Sequence, residues 1–402
     1  MPESPRAVLC LASYEKGEEF MRECKRQGRH VILLTVTNLQ HADWPRESID
    51  EMFYMPDLSA EDDVIRAVSY LARTRAFDRV VALDEYDLQT AAALREHMRV
   101  PGMGETTARY FRDKVAMRMQ ARDRGILVPD FVHVLNYDRL RDYMSRVLPP
   151  WLLKPRSEAS AMGIKRVGAS EALWPLLDTL GDRQSFFLLE RYVPGQVYHV
   201  DSIVSEREVV FSEVHRYEQP PMDVYHGGGI FMTRTVEREG TEEQSLKELN
   251  RQVIEALGMV RGVTHLEFIE GREDGRYYFL EAAARVGGAN IAEMVEAATG
   301  VNLWREWARI EVTGGEGPYQ LPPRRCEYGG VIASLARQEY PDMSVFQDPE
   351  IVYRLHKRHH AGLVVTSREC NRVKDLLGGY SRRFAEDFLA TMPPLDERPE
   401  EA

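Results

Sequence analysis

Cysteine is scarce in this 402-residue chain, and what there is falls in no paired spacing. Cys10, Cys24, Cys326 and Cys370 are scattered with no CxxC, so they indicate neither a disulfide framework nor a cysteine zinc site. Buried free thiols in a reducing compartment are the expectation. No apolar run approaches the length of a membrane span. Residues 2–6 lead straight into a strand-like run without a signal-peptide pattern, so a cytoplasmic protein with no membrane partner is expected. Basic excess is also missing: 64 acids face 52 bases, a net charge of -12. General nucleic-acid binding needs basic patches, so no nucleic-acid partner is expected. Neither GxxxxGK[ST] nor GxGxxG occurs, which removes the phosphate loops of P-loop and Rossmann nucleotide sites. No internal repeat is found.

What is there is an ordinary globular composition, 44% hydrophobic and 29% charged, in a chain long enough for two to four domains. Strand patterns at 8–12, 30–36 and 79–83 alternate with helix patterns at 15–27, 62–73 and 88–97. Such alternation predicts an open parallel α/β sheet. Ligands of these sheets sit beyond the carboxyl ends of the strands, where Asp84-Glu85-Tyr86 lies. Glu85 either lines a cleft there or caps the helix that follows.

The chemistry concentrates near the two-thirds point. His265-Leu-Glu267-Phe-Ile and Tyr277-Tyr-Phe-Leu280-Glu281 read as two antiparallel strands joined by a polar turn between Gly271 and Gly275. Glu267 and Glu281 then lie beside each other. Two carboxylates that close repel unless a proton or a cation sits between them, and Mg²⁺ takes oxygen ligands of this kind together with substrate phosphates. Arg285 follows by four residues, just before Gly287-Gly288. Its fixed fork suits a carboxylate, a phosphate or an oxyanion, and a structural pair with an acid such as Glu293 is the alternative.

Upstream lie two lysines. Lys114 falls within a long amphipathic helix pattern at 106–124 that ends at Gly125. Lys154 ends the apolar strand Trp151-Leu-Leu-Lys154, where a lysine is costly without an anionic partner. The loop 156–163, with Ser160 and Gly163, is small-residue backbone suited to closing on phosphate oxygens. Glu190 and Val193 follow in Phe-Phe-Leu-Leu-Glu190-Arg-Tyr-Val193, and His199 opens the next strand. His226-Gly227-Gly228-Gly229 reads as a substrate-facing loop, since glycines allow close backbone approach. Helices are expected at 244–257, 291–298 and 381–389. A separate terminal unit is expected from about residue 315, with a disordered charged tail at 395–402. His356, His359 and His360 lack the partners of a metal site.

Lys114, Lys154 with its loop, Glu190 with Val193, then Glu267, Glu281 and Arg285, in this order, resemble the ATP-grasp superfamily over roughly residues 1–390. The resemblance implies an ATP-grasp fold of the α/β class: an N-terminal open parallel α/β domain (1–105), a small lobe (106–189) and a large lobe (190–314) that clamp ATP, and a C-terminal subdomain with its tail (315–402). It implies Lys114, Lys154, Ser160 and Gly163 at the phosphates, and the 186–195 segment at adenine with Glu190 accepting from the exocyclic amine. Glu267 and Glu281 would hold Mg²⁺, with Mn²⁺ as a substitute, and Arg285, His226 and Glu85 would face the reacting groups. Two departures stand out. Ala283 takes the place of a usual Asn ligand, with Asn290 as the candidate stand-in. Val197 takes the place of a usual ribose-binding Glu, with His199 as the candidate replacement.

Within the superfamily the chain looks like the carboxylate–amine ligases, which make an amide through an acyl phosphate from ATP, an acid and an amine. The expected partners are small carboxylates and amines, amino acids among them, and a homodimer is the default assembly. A carboxylase of the biotin carboxylase or aminoimidazole ribonucleotide kind remains the alternative, although 156–163 lacks the polyglycine loop of biotin carboxylases. A nucleotide-binding regulator without turnover is a third reading.

Overall fold

The first sheet is buried on both faces, and its central strand shows why. In β1 (Ala7–Ala12) the side chains of Ala7, Leu9 and Leu11 enter one apolar core, and those of Val8, Cys10 and Ala12 enter another. A strand covered on both sides reads as an unbroken apolar run. The computed structural model describes residues 6–159, 161–314, 317 and 319–393. After β1 come α1 (Glu18–Arg26), β2 (His30–Val36), β3 (Glu51–Met55), α2 (Glu61–Leu71), β4 (Phe77–Ala82) and α3 (Leu88–Met98). The strands are parallel in the order β3-β2-β1-β4. Three strands were expected. The fourth, β3, is an edge strand with none of its residues buried, so it carries no apolar run to announce it. The strand order reverses direction at β1, which opens a crevice at the carboxyl ends of β1 and β4. Residues 83–87 lie at that end.

The helix expected at 106–124 is broken in two. It forms α4 (Glu105–Arg109) and α5 (Lys114–Asp123). The break is set by Asp113, whose carboxylate accepts from the backbone N–H groups of Val115 and Ala116 and so starts a new helix. Arg156 donates to the same carboxylate. The chain continues through β5 (Phe131–His133), α6 (Tyr137–Arg146), β6 (Trp151–Pro155), β7 (Lys165–Val167), α7 (Ser170–Leu180) and β8 (Phe187–Arg191). These strands form an antiparallel sheet in the order β5-β8-β6-β7, packed on a small core around Trp151, Leu153 and Leu189.

The third sheet has eight strands. Its elements are β9 (Gly195–Ser205), β10 (Glu208–Tyr217), α8 (Pro221–Gly227), β11 (Phe231–Thr235), α9 (Thr241–Leu257), β12 (Gly262–Gly271) and β13 (Tyr277–Ala283). Then come α10 (Ile291–Thr299), α11 (Leu303–Thr313), β14 (Tyr328–Leu335), β15 (Ile351–Arg354), β16 (His360–Ser367) and α12 (Cys370–Arg383). The strand order is β13-β12-β9-β10-β11-β14-β16-β15. The C-terminal segment therefore does not form a sheet of its own: β14 pairs antiparallel with β11 and extends the large sheet. An unpaired β11 edge would leave a row of backbone groups exposed, and β14 satisfies them. In place of the closing helix expected at 381–389, α12 runs from Cys370 to Arg383 with a short π turn after it. The expected tail at 395–402 lies outside the described residues. The four cysteines are free, but Cys326 is exposed rather than buried. Among the described residues no helix is long and apolar enough to cross a membrane.

Replacing Asp113 by Ala removes the cap of α5 and one partner of Arg156. The cap alone should cost about 1 kcal/mol. A lowered urea midpoint for the variant, followed by circular dichroism, is the expected result. An unchanged midpoint would mean that the break does not depend on Asp113.

Candidate active site

The hairpin β12–β13 forms with Glu267 directly opposite Glu281. Because neighbouring strands align residue to residue, one cross-strand row runs Glu281, Glu267, His199, His215 over four strands. The next row on the same face runs Ala283, His265, Asp201, Glu213. Both Glu267 and Glu281 reach a cavity of about 400 Å³ between the sheets. Lys114, Lys154, Glu190, Glu85 and Arg285 line the same cavity.

Most charges that line this cavity are paired, while Glu158 Oε2 is buried without a hydrogen-bond partner among the described residues. Lys114 stands at the first position of α5 and donates to Glu281 Oε1 at 2.8 Å and to the Glu158 carbonyl at 2.5 Å. Glu267 accepts from the Tyr217 hydroxyl at 2.9 Å, with His265 Nε2 at 3.8 Å. Burial raises the cost of its charge, yet His265 and Tyr217 hold its carboxyl below the usual range. Lys154 donates to Glu190 Oε1 at 2.8 Å, and Arg118 pairs with the other oxygen of that carboxylate. Burial first, then the charges of Arg118 and Lys114, pulls the Lys154 ammonium down to about 7. Arg285 donates through Nε and Nη2 to Glu85 Oε1 at 2.8 and 2.7 Å, and Arg112 Nη1 lies 3.8 Å from the same carboxylate. Against its burial, Arg285 and Arg112 hold Glu85 down at about 2. The two roles considered for this segment are divided between neighbours. Asp84 caps the turn by accepting from Tyr86 N, and Glu85 faces the cavity.

Other expected residues fall elsewhere. His199 does not line the cavity. It is fully buried behind Glu267, with Nδ1 2.7 Å from Asp201 Oδ2 and Nε2 2.7 Å from Thr233 Oγ1. Burial, reinforced by the neighbouring histidine charges, lowers it to about 4, so it is neutral. His226 is exposed at the end of α8 and outside the lining, because α8 turns Val224 and Tyr225 inward instead. Gly163 adopts φ 66 and lets Ala161, Met162 and Ile164 face the cavity. Ser160 lies outside the described residues. Asn290 has φ 61 and is not part of the cavity lining, while Ala283 lines it. Arg285 pairs with Glu85, not with Glu293. Val193 and Val197 give an apolar wall together with Leu152, Ile269 and Leu280. Both Glu190 oxygens are engaged in ion pairs, one with Arg118 and one with Lys154.

Four residues that sequence reading passed over complete the arrangement. Arg118 lies four residues beyond Lys114, on the same helix face, and that spacing was an available signal. Asp201 lies two beyond His199, on the same strand face. His265 lies two before Glu267 on one strand face and carries the same signal, whereas Tyr217 gives none, since strand register alone brings it in. Asp201 Oδ1 accepts from His265 Nδ1 at 2.9 Å. Against burial, the Asp201 charge and hydrogen bond raise His265 to about 9. Gly287 closes over this pair: a Cβ there would come within 2.8 Å of Asp201 Oδ1. Among the described residues His199, Asp201 and His265 are the one His/Cys/Asp/Glu group close enough to share a metal, and their hydrogen bonds to one another occupy the same atoms.

The donor set facing the cavity suits a hard divalent cation with phosphates: two carboxylates in register and two lysines beside them. A parallel α/β domain, a small antiparallel sheet and a large antiparallel sheet around such a cavity give the chain an ATP-grasp fold. Within that class it resembles the amino-acid ligases. It is 22% identical over 366 residues to an L-arginine-specific L-amino acid ligase of Bacillus subtilis, covering 86% of this chain and 87% of the relative. It is 24% identical over 218 residues to a D-alanine–D-alanine ligase of Dechloromonas aromatica, covering 50% of this chain and 70% of that one. The crystal structure of an L-amino acid ligase from Bacillus licheniformis matches with a TM-score of 0.73 at 16% identity, over 96% and 98% of the two chains. An N5-carboxyaminoimidazole synthetase from Staphylococcus aureus complexed with ADP matches with a TM-score of 0.71 at 14% identity, over 94% and 97%. No family model matches the chain.

If phosphates bind beside Lys154, its depressed ammonium would make that binding pH-linked. Its charge is present below about pH 7 and is lost above it. Phosphate oxygens favour the charged form and raise the value. At pH 8, binding of Mg·ATP should therefore take up a proton, by up to about one per site. Titration calorimetry in two buffers of different ionisation heat measures this. Lys154→Met should abolish the uptake, and an unchanged uptake in that variant would remove Lys154 as its source.

Proposed function

We propose that the chain is an ATP-dependent carboxylate–amine ligase that joins an amino acid carboxylate to an amine through an acyl phosphate, releasing ADP and phosphate. The observation that carries this reading is the meeting of Glu267, Glu281, Lys114, Lys154 and Arg285 in one cavity. Glu267 and Glu281 would hold Mg²⁺, and Lys114 and Lys154 the phosphates. Bound there, the ion would supply charge neutralisation for phosphoryl transfer. The ligase names of the sequence relatives support the reaction class.

The chain's own groups do the positioning. Tyr217 fixes the rotamer of Glu267 through its hydroxyl. Glu85 holds the Arg285 fork, and Arg112 backs it, so that the guanidinium stays charged where a substrate carboxylate or an oxyanion would sit. Pro221, Met222, Val224 and Tyr225 of α8, with Phe231, give an apolar wall that excludes water and takes an apolar portion of a substrate. The four-domain division at 105, 189 and 314 remains part of this reading, with the terminal strands as an extension of the large lobe.

Glu281→Gln and Glu267→Gln should each abolish ADP release in the presence of Mg·ATP, an amino acid and an amine. Full activity in Glu281→Gln would remove its assignment as a metal ligand. Arg285→Ala should lower kcat by about 10²–10³, the scale of one lost oxyanion donor. ATP affinity should change far less, and activity within a few-fold of the parent would sink the role. Hydroxylamine should trap a hydroxamate when acid and Mg·ATP are present without amine. ADP release that depends on bicarbonate instead of two amino acids would transfer the chain to the carboxylating enzymes whose fold it shares.

A further inference from the structure

A second cavity, of about 390 Å³, lies where the N-terminal layer meets the large lobe. Its lining includes Val80, Met103, Met259 and Trp307, which are apolar, and two groups of opposite charge, Arg95 and Glu311. Arg95 is 7% exposed. Its Nε donates to the Met103 carbonyl and its Nη1 to the Val80 carbonyl, both at 2.7 Å. Its buried Nη2 has no hydrogen-bond partner among the described residues. A buried donor of a charged group left unsatisfied is costly, and such atoms call for an explanation. Glu311 accepts from Trp307 Nε1 at 3.2 Å and has no ion-pair partner within 4 Å among the described residues. The two side chains feel each other's charge without touching. Space thus separates a fixed cation with a free N–H from a carboxylate.

We propose that this cavity is a second binding site for an α-amino acid, with the ligand carboxylate on Arg95 Nη2 and the ligand ammonium toward Glu311. A simple anion would satisfy Arg95 and meet repulsion at Glu311, and a simple amine would do the reverse. A zwitterion with an apolar side chain satisfies both charges and uses the walls. Arg207 and Arg261 also line the cavity, and Arg261 is paired with Glu206 at 2.8 Å. The site stands apart from the first cavity but abuts it. Ala283 and Arg285 line the first, and Ala284 between them lines the second.

Trp307 lines only this cavity of the two, so it reports occupancy without turnover, whether or not the chain ligates amino acids. The experiment is titration of the full chain with L-leucine, followed by tryptophan emission, with Trp307→Phe as the control for the origin of the signal. A saturable change that vanishes in Trp307→Phe is expected. Its apparent Kd should rise about tenfold or more in Glu311→Gln and in Arg95→Met, the scale of one lost charged hydrogen bond. It should stay within about twofold in Glu281→Gln, since that residue lies in the other cavity. Arg95→Met also removes two carbonyl contacts and can unfold, so the near-isosteric Glu311→Gln decides the matter. 4-Methylpentanoate, which lacks the ammonium, and 3-methylbutylamine, which lacks the carboxylate, should each bind about tenfold more weakly than leucine. No saturable Trp307 signal, unchanged binding in Glu311→Gln, or equal binding of 4-methylpentanoate would each overturn the proposal.

Discussion

The constraint on which the site depends is the alignment of four strands that sets Glu281, Glu267, His199 and His215 side by side. Four ionisable groups in one row on a mostly buried face cannot stand unless each finds a counter-charge or a hydrogen bond. The partners arrive from every layer. Lys114 comes from the capped start of α5, Tyr217 from the end of β10, and Asp201 from β9. Arg285 reaches back across the crevice to Glu85 at the end of the parallel sheet. Removing the alignment would remove the reason for each of these contacts, so the register of one sheet organises three.

The pairs also define what a ligand must displace. The Lys114 ammonium already sits on Glu281, so a divalent cation between Glu267 and Glu281 has to share or expel it. On the proposed reading the released ammonium would find a phosphate as its new partner, and the exchange would lose little charge pairing. Lys154 is in a similar position between Glu190 and the open cavity. Arg118 remains as the partner of Glu190 if Lys154 turns to a phosphate, so that carboxylate is never left alone. The Glu85–Arg285 pair behaves differently. Two donors on one oxygen, with Arg112 behind, keep it fixed while the others rearrange.

Much of this could be read from residue patterns, and the exceptions share a cause. The hairpin, its turn and the Glu267–Glu281 juxtaposition followed from period-two alternation and two glycines. Lys154 was singled out because an ammonium on an apolar strand needs an anion, and Glu190 is that anion. What failed depended on distant register or on short-range competition. His199 is a candidate for the ribose only because Val197 replaces the usual Glu, with a core histidine as the even alternative, and the core reading holds: its strand turns it inward to Asp201 and Thr233. Three glycines after His226 suggest a substrate-facing loop, with a solvated turn histidine as the alternative, yet Pro220 and Pro221 start a short helix that presents Val224 and Tyr225 instead. An apolar stripe continues past Asp113 and suggests one helix over 106–124, while the Asp113 side chain caps a second helix that starts at Lys114. The C-terminal strands carried no sign in sequence of which edge they would join.

The fold survives where sequence identity has fallen to 16%, and the reason lies in which parts are tied to the backbone. Strand register, buried cross-strand charges and the Gly287 contact over Asp201 leave few alternatives, because a one-residue slip would turn the acids away from the cavity. The walls have no such tie. Pro221, Met222, Val224 and Tyr225 ride on a seven-residue helix whose residues are nowhere fully buried, and each can change without moving a strand. On the proposed reading, phosphoryl chemistry would belong to the rigid rows of the sheet, and substrate choice to the wall beside them. A fold match at low identity shows that the frame is shared and is silent on the walls, so two proteins can share the rows and differ in what they join.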